Sequence, residues 1–257
     1  MVSFECDNSA MKRLGLLLLV ILTIGLLAKG IFLKNQKLEQ DLKVEPTTAE
    51  TENEEEFGDE KEYKSIDCPE ITNIANKTLQ TEVNKRNKEV VDTEIGDGHW
   101  ENAIVLKKGE EVPYGPNTSY LDIYCDSIRN DNLVFSEIIY LEDYGAGAAH
   151  PNHRVWTFNY SVKTGKELSV KDLFKQNTDG LKNLTKKVVA KLKSDLGEVL
   201  DKEIAEIPDG EERDFGLFLV ESDGLEILFN QYAIAPSSAG TVRVKLNGEE
   251  LGPNYLY

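Results

Sequence analysis

From Leu14 to Ala28 the chain carries no charged side chain. Lys12 and Arg13 precede the run, and after Lys29 the apolar character resumes from Gly30 to Leu33. Such a stretch cannot stay exposed to water, and its full length approaches the ~20 residues that span a bilayer. The shorter run alone would suit the apolar core of a secretory signal peptide. Cleavage wants small residues on both sides of the A-x-A spacing, and with Ala28 last, Leu26 fits that pattern poorly. No Cys follows for lipoprotein processing. The sequence therefore predicts an uncleaved signal anchor over residues 14–33, a single pass through the cell membrane, with a cleaved and secreted form as the alternative. Lys29, Lys34, Lys37 and Lys43 also flank the far end, so charge alone does not orient the span. The C-terminal part is expected outside the cytoplasm because residues 1–13 are too short to be a domain. Translation from Met1 and from Met11 are both open.

The segment Val44–Glu62 (VEPTTAETENEEEFGDEKE) then places nine acids against one Lys. It cannot bury enough apolar area to pay for ordering and it repels itself, so residues 34–62 are expected to form a disordered acidic stalk. Over the whole chain 46 acidic residues face 29 basic ones, a net charge of −17. That balance argues against a nucleic-acid partner, which needs a dense Lys/Arg face, and permits a basic protein or a cation. Three Cys and three His are too few for a zinc-ribbon architecture.

The remainder reads as α+β, a mainly antiparallel sheet packed with two amphipathic helices. Its expected parts are a first helix-containing module, 63–110, and a C-terminal module, 111–257. Ile71, Ile74, Ala75, Leu79 and Val83 recur at helical spacing, with Asp67 or Cys68 as N-cap and Pro69 in the first turn. Strand patterns follow at Ala103–Leu106, Ser119–Ile128, Asn132–Leu141 and His153–Tyr160, with VKTGK as a turn. Ser169 is placed to cap a short helical turn, and Leu181, Leu184, Val188, Leu192 and Leu196 mark the second helix. Asp214–Val220 and Leu225–Phe229, joined by ESDG, and Thr241–Leu246 complete the strands.

No nucleophile elbow, phosphate loop or zincin helix is present. The glycine loop GAGAAHPN leads into a strand and so lacks the helix N-terminus that would bind phosphate. Within and beside it, Tyr144, His150, Pro151 and His153 are the candidate binding residues: Tyr144 offers an exposed aromatic ring, and the two imidazoles stand three residues apart. A metal on His150, His153 and a carboxylate such as Glu142 or Asp143 is the sharper alternative, but two ligands need a third and a rigid support. His99 reads as a surface residue, and Ser237 and Ser238 have no base at identifiable spacing. Cys68 and Cys125 form a disulfide candidate, two buried thiols being the other reading. No catalytic residue, metal or cofactor is assigned.

The segments GAGAAHPNHRVWTFNYSVKTGKELSVKDLF and FNQYAIAPSSAGTVRVKL resemble the two signatures of a bacterial extracytoplasmic paired domain of unknown function. That pair occurs in the ectodomain of RsiV-type lysozyme-sensing anti-sigma factors and in the accessory region of some peptidoglycan deacetylases. The resemblance spans roughly Tyr63 to the C-terminus. It implies a non-enzymatic binding or sensing domain in the cell envelope, its ligand a lysozyme-like basic protein or cell-wall glycan (peptidoglycan). A metal-dependent envelope hydrolase or deacetylase-associated domain is the alternative. Sigma-factor control is not expected to carry over, since the residues before Leu14 are too few to bind a sigma factor.

Overall fold

The computed structural model describes residues 60–257 apart from 98, 99, 114, 116, 177 and 209. The expected anchor, nearly all of the expected stalk and His99 lie outside the described residues. No helix among the described residues is long and apolar enough to cross a membrane.

The described chain is a mixed α+β structure of eight strands in two sheets. The larger sheet has the order β2-β1-β3-β4-β5, built from β1 (Lys61–Asp67), β2 (Ile104–Val105), β3 (Thr118–Asn130), β4 (Val134–Tyr144) and β5 (Asn152–Ser161). Strands β3, β4 and β5 pair antiparallel, whereas β1 lies parallel to both β2 and β3. The smaller sheet, β6 (Phe218–Val220), β7 (Gly224–Phe229) and β8 (Val242–Asn247), is antiparallel throughout. Helix α1 (Lys77–Asp97) covers one face of the larger sheet, and α2 (Gly180–Leu196) covers the outer face of the smaller one. The layers run α1, five-stranded sheet, three-stranded sheet, α2. Two short helices, α3 (Lys202–Ala205) and α4 (Gly248–Leu251), complete the set.

The beginning of the folded part departs from the sequence reading. Lys61–Asp67 is a strand, and the helix starts at Lys77 rather than near Pro69. Asp67 and Cys68 therefore cap nothing. Asn76 does so instead, its Oδ1 accepting from Leu79 N–H at 3.1 Å. Ile71 and Ile74 belong to the lead-in, where the Asn84 side chain grips both the N–H and C=O of Ile71 at 2.9 Å. KEYKSID shows no apolar alternation because its one deeply buried side chain is Lys64, whose stem packs inside while Nζ donates to Trp100 O at 2.7 Å. The strands from Ser119 onward and the second helix sit within a few residues of their expected places. Ser169 does start a single 3₁₀ turn, its N–H and hydroxyl both donating to the Asp172 carboxylate.

The two cores meet on β4, buried on both faces. Phe135, Ile139 and Leu141 pack toward Leu79 and Val83 of α1. Ile138, on the other face, meets Val155, Leu219 and Leu228. Between the sheets the contact is polar as well as apolar. Asn159 Nδ2 donates to Phe218 O at 2.6 Å, Val220 N–H donates to Ser136 Oγ and Asn159 Oδ1, and Phe218 N–H donates to Thr157 Oγ1 at 3.1 Å. Strand β6 thus has β7 on one edge and side chains of the larger sheet on the other. At β7, Gly224 is required by closeness: a Cβ there would lie 2.1 Å from Leu246 O on β8.

One charge is buried under α1. Glu137 of β4 is wholly inaccessible, and Asn87 Nδ2 donates to its Oε1 at 2.8 Å. Desolvation, reinforced by Asp126 and partly offset by the Asn87 bond, pushes its carboxyl up to about 7.

Two outcomes follow from this packing. In Asn159→Ala the Phe218 carbonyl loses its donor, and urea unfolding should show a loss of about 2–3 kcal/mol. Because Glu137 holds its proton more tightly in the folded state than in the unfolded chain, its contribution is complete below about pH 4.5. It is lost as pH rises to about 7, by roughly 3 kcal/mol. Unfolding of Glu137→Gln measured across that range should lack this component of the slope.

Candidate functional site

The smaller sheet covers only one end of the larger sheet's second face. By strand register, Tyr63, Ser65 and Asp67 of β1 lie beside Tyr120, Asp122 and Tyr124 of β3. These in turn lie beside Tyr144, Glu142 and Tyr140 of β4, and Glu142 stands opposite His153 of β5. All share the face that farther along carries Ile138, Ser136 and Asn159, the residues that meet β6. Beyond that contact the face is partly open, with Tyr124 exposed and Tyr120 buried.

Its surface is tyrosine and carboxylate. Tyr120 and Tyr144 stack with centroids 5.7 Å apart, Tyr124 and Tyr140 at 4.3 Å. Such offset aromatic pairs across strands hold both rings in fixed orientation. Tyr120 is buried beneath this layer and its hydroxyl donates to Glu142 Oε1 at 2.5 Å, while Tyr124 is 45% exposed. Glu142 Oε2 faces His153 Nδ1 at 3.2 Å. The Asp122 carboxylate has no hydrogen-bond or ion-pair partner among the described residues. Two cations stand at the borders. Lys108 pairs with Asp67 at 2.7 Å, and Arg243 lies over the Tyr140 ring at 5.4 Å, bonds its hydroxyl, and approaches the buried Glu226 at 3.6 Å. Burial pushes the Tyr124 hydroxyl above its ordinary value.

At the β5 side the face ends in the glycine loop, and here the two signature segments meet. The Tyr144 hydroxyl donates to Ala148 O at 3.1 Å, and Ala146 N–H donates to Ser119 Oγ at 2.8 Å. From the opposite signature, Gln231 Oε1 accepts from His153 N–H at 2.9 Å and Asn230 Oδ1 accepts from Val155 N–H at 2.8 Å. These amides occupy the outer edge of β5 as a neighbouring strand would. His150 Nδ1 lies 2.9 Å from Pro151 O, so Nδ1 carries the hydrogen, and Nε2 faces the Tyr232 hydroxyl at 3.0 Å. Tyr232 is 60% exposed with φ of 67°, a left-handed backbone uncommon outside glycine.

Of the residues singled out in the sequence, Tyr144 and His153 lie on the open face, and His150 and Pro151 lie in the loop at its rim. The two imidazoles are engaged separately, one by Tyr232 and one by Glu142. Asp143 is turned to the other side, where it meets Asn152 at 3.0 Å and Arg154 at 3.8 Å. Among the described residues no group of three or more His, Cys, Asp and Glu is placed to hold a metal ion. Cys68 and Cys125 are joined in a disulfide one register step beyond the Asp67–Tyr124 pair, tying β1 to β3. Asn230, Gln231 and Tyr232 were missed as site residues, although NQY stood in the second signature. Asp122 was missed too: SYLDIYCDSI does alternate, and the face opposite its buried Leu121 and Ile123 is the one that carries it.

The fold and face define a mixed α+β domain with an acidic, tyrosine-rich surface. Residues 171–247 match a family model described as a protein of unknown function, DUF3298. The match takes in α2, the smaller sheet and the whole of the second signature, and begins after the glycine loop. No curated protein matches the chain. Among solved structures, a DUF3298 member from Bacteroides fragilis is similar at 17% identity and a TM-score of 0.42, over 70% of this chain and 65% of that one. A DUF3298 protein from Pseudomonas aeruginosa is similar at 12% identity and a TM-score of 0.38, over 54% of this chain and 62% of that one. The chain thus covers a little under two thirds of each solved structure.

If the Gln231 amide is what closes the edge of β5, Gln231→Ala frees the His153 N–H. Hydrogen exchange at that amide should quicken at least tenfold, with Ile138 and Ile139 unchanged.

Proposed function

We propose that this protein is a membrane-anchored, extracytoplasmic binding or sensing domain without catalytic activity, and that its open sheet face takes a basic protein of the lysozyme type. The observation that carries the reading is the composition of that face. Asp122 and Glu142 stand among ordered tyrosine rings, and the nearest cations, Lys108 and Arg243, are already paired at the borders. A surface of fixed carboxylates with low-entropy aromatic contact area suits a partner that presents Arg and Lys. The net charge of −17 adds attraction at longer range. The resemblance to lysozyme-sensing ectodomains points the same way, and the apolar run at 14–33 supplies the anchor. Cell-wall glycan is the second ligand to be tried, because stacked tyrosines also pack against sugar rings.

Calorimetric titration of the purified chain with a lysozyme, at low and at physiological salt, tests this. One-to-one saturable heat is expected at both, weaker at the higher salt. Asp122→Asn with Glu142→Gln should weaken it about tenfold or more with the thermal midpoint little changed. Heat that disappears at physiological salt, or binding indifferent to the double substitution, would sink the assignment of this face. Saturable binding of peptidoglycan fragments in its place would move the ligand to glycan.

A further inference from the structure

On the opposite face of the larger sheet, α1 reaches β5 through Glu94 and Arg86 but leaves the β1 edge uncovered. Between the helix and the end of β1 lies a cleft of about 580 Å³, lined by Ile66, Cys68, Pro69, Asn84, Asn87 and Val91, with Glu70, Lys85 and Lys88 at its mouth. Its walls are mainly apolar: the Cys68–Cys125 bridge, Pro69, Val91, and Ile66, which is 38% exposed although it faces the helix side. The cleft arises because one helix covers a sheet of five strands. The stripe Leu79, Val83, Asn87 and Val91 seats α1 over the central strands and leaves the β1 edge uncovered.

The floor carries an unusual polar group. Asn87 is 6% exposed in a stripe otherwise apolar. Its Nδ2 is spent on Glu137 Oε1, and that bond turns the amide so that Oδ1 is left without a hydrogen-bond partner. Glu137 Oε2, directly behind, has none either. The Asn87 amide oxygen can only accept, and a buried acceptor is destabilising until a donor reaches it. At the mouth, Lys85 and Lys88 direct their charge to Glu89 at 3.5 Å and Asp92 at 2.5 Å, so the rim holds no unspent cation for an anionic head group.

We propose that this cleft is a binding site for a small amphiphile with an apolar body and a hydrogen-bond-donating head, a hydroxyl or an amine, that donates to Asn87 Oδ1. The body rests on Ile66, Pro69, Val91 and the disulfide. The head reaches the amide by a small turn of its side chain. This site lies across the sheet from the tyrosine face and stands independently of what that face binds.

Three probes of nearly equal shape test it: toluene, benzyl alcohol and benzylamine, titrated against the full chain by ligand-observed NMR. Benzyl alcohol or benzylamine should bind about tenfold more tightly than toluene, one hydrogen bond's worth. A preference confined to the amine would assign the head as a cation drawn to Glu137, and equal preference for both would assign it as any donor. Val91→Trp, which fills the cleft, should abolish binding of all three. Asn87→Leu combined with Glu137→Met removes both orphans with an apolar floor and so avoids a stranded charge. In that variant, checked for an intact thermal transition, toluene binding should persist and the preference vanish. Absence of binding to the unsubstituted chain, no preference for the donors, or binding that survives Val91→Trp would overturn the proposal.

Discussion

The rest of the molecule depends on the way the short strand β6 is seated. Its backbone groups on one side bond β7 in the ordinary manner. On the other side they are met by Ser136, Thr157 and Asn159, side chains standing on the face of a different sheet. Main-chain donors and acceptors at an unpaired strand edge invite a further strand, from the same protein or another. Here that edge is instead spent on holding the two sheets together. The bonds fix how far the smaller sheet can advance across the larger one, and hence where the uncovered face begins.

That limit explains the unequal treatment of β4. Near Val134 both faces are buried, while toward Tyr144 one face opens to solvent. The same strand therefore shifts from aliphatic to aromatic and acidic side chains along its length. Within the tyrosine layer Tyr120 is buried and Tyr124 is exposed, and each ring is held by its stacking partner on β4. The outer edge of β5 is closed by Asn230 and Gln231, so the open face is bounded there by side-chain amides and by the loop that carries His150, against which Tyr232 rests.

Much of this could be read in the residues, and what could not has physical causes. Helix α2 and the strands from β3 onward were visible because each buries one apolar stripe against a core. Strand β1 was invisible because a parallel strand near a sheet edge needs no apolar alternation, and its buried side chain is a lysine. The start of α1 was misplaced because Ile71 and Ile74 mimic a helical stripe. Ile74 is buried and Ile71 half-buried, and Asn84 grips Ile71, a contact thirteen residues away that no local pattern reports. In the candidate site, Tyr144 and His153 were legible as unusual residues beside a glycine loop. Asp122 was not, since it becomes notable only when register sets it beside Glu142. Asn230 and Gln231 act through their amides on the backbone of a strand some seventy-five residues earlier, a role that residue type alone does not disclose.

The disulfide has a mechanical consequence. Strand β1 opens the described residues, and its seven residues lie alongside β3 in parallel register until Cys68 is bonded to Cys125. Tension applied to the chain ahead of Glu60 is carried first by the β1 ladder. Should that ladder yield, traction stops at Cys68 and passes covalently into β3, the middle strand of the larger sheet. Pulling from that end can lengthen the molecule only by the residues before the bridge, and helix α1 and the tyrosine face beyond β1 stay assembled under load.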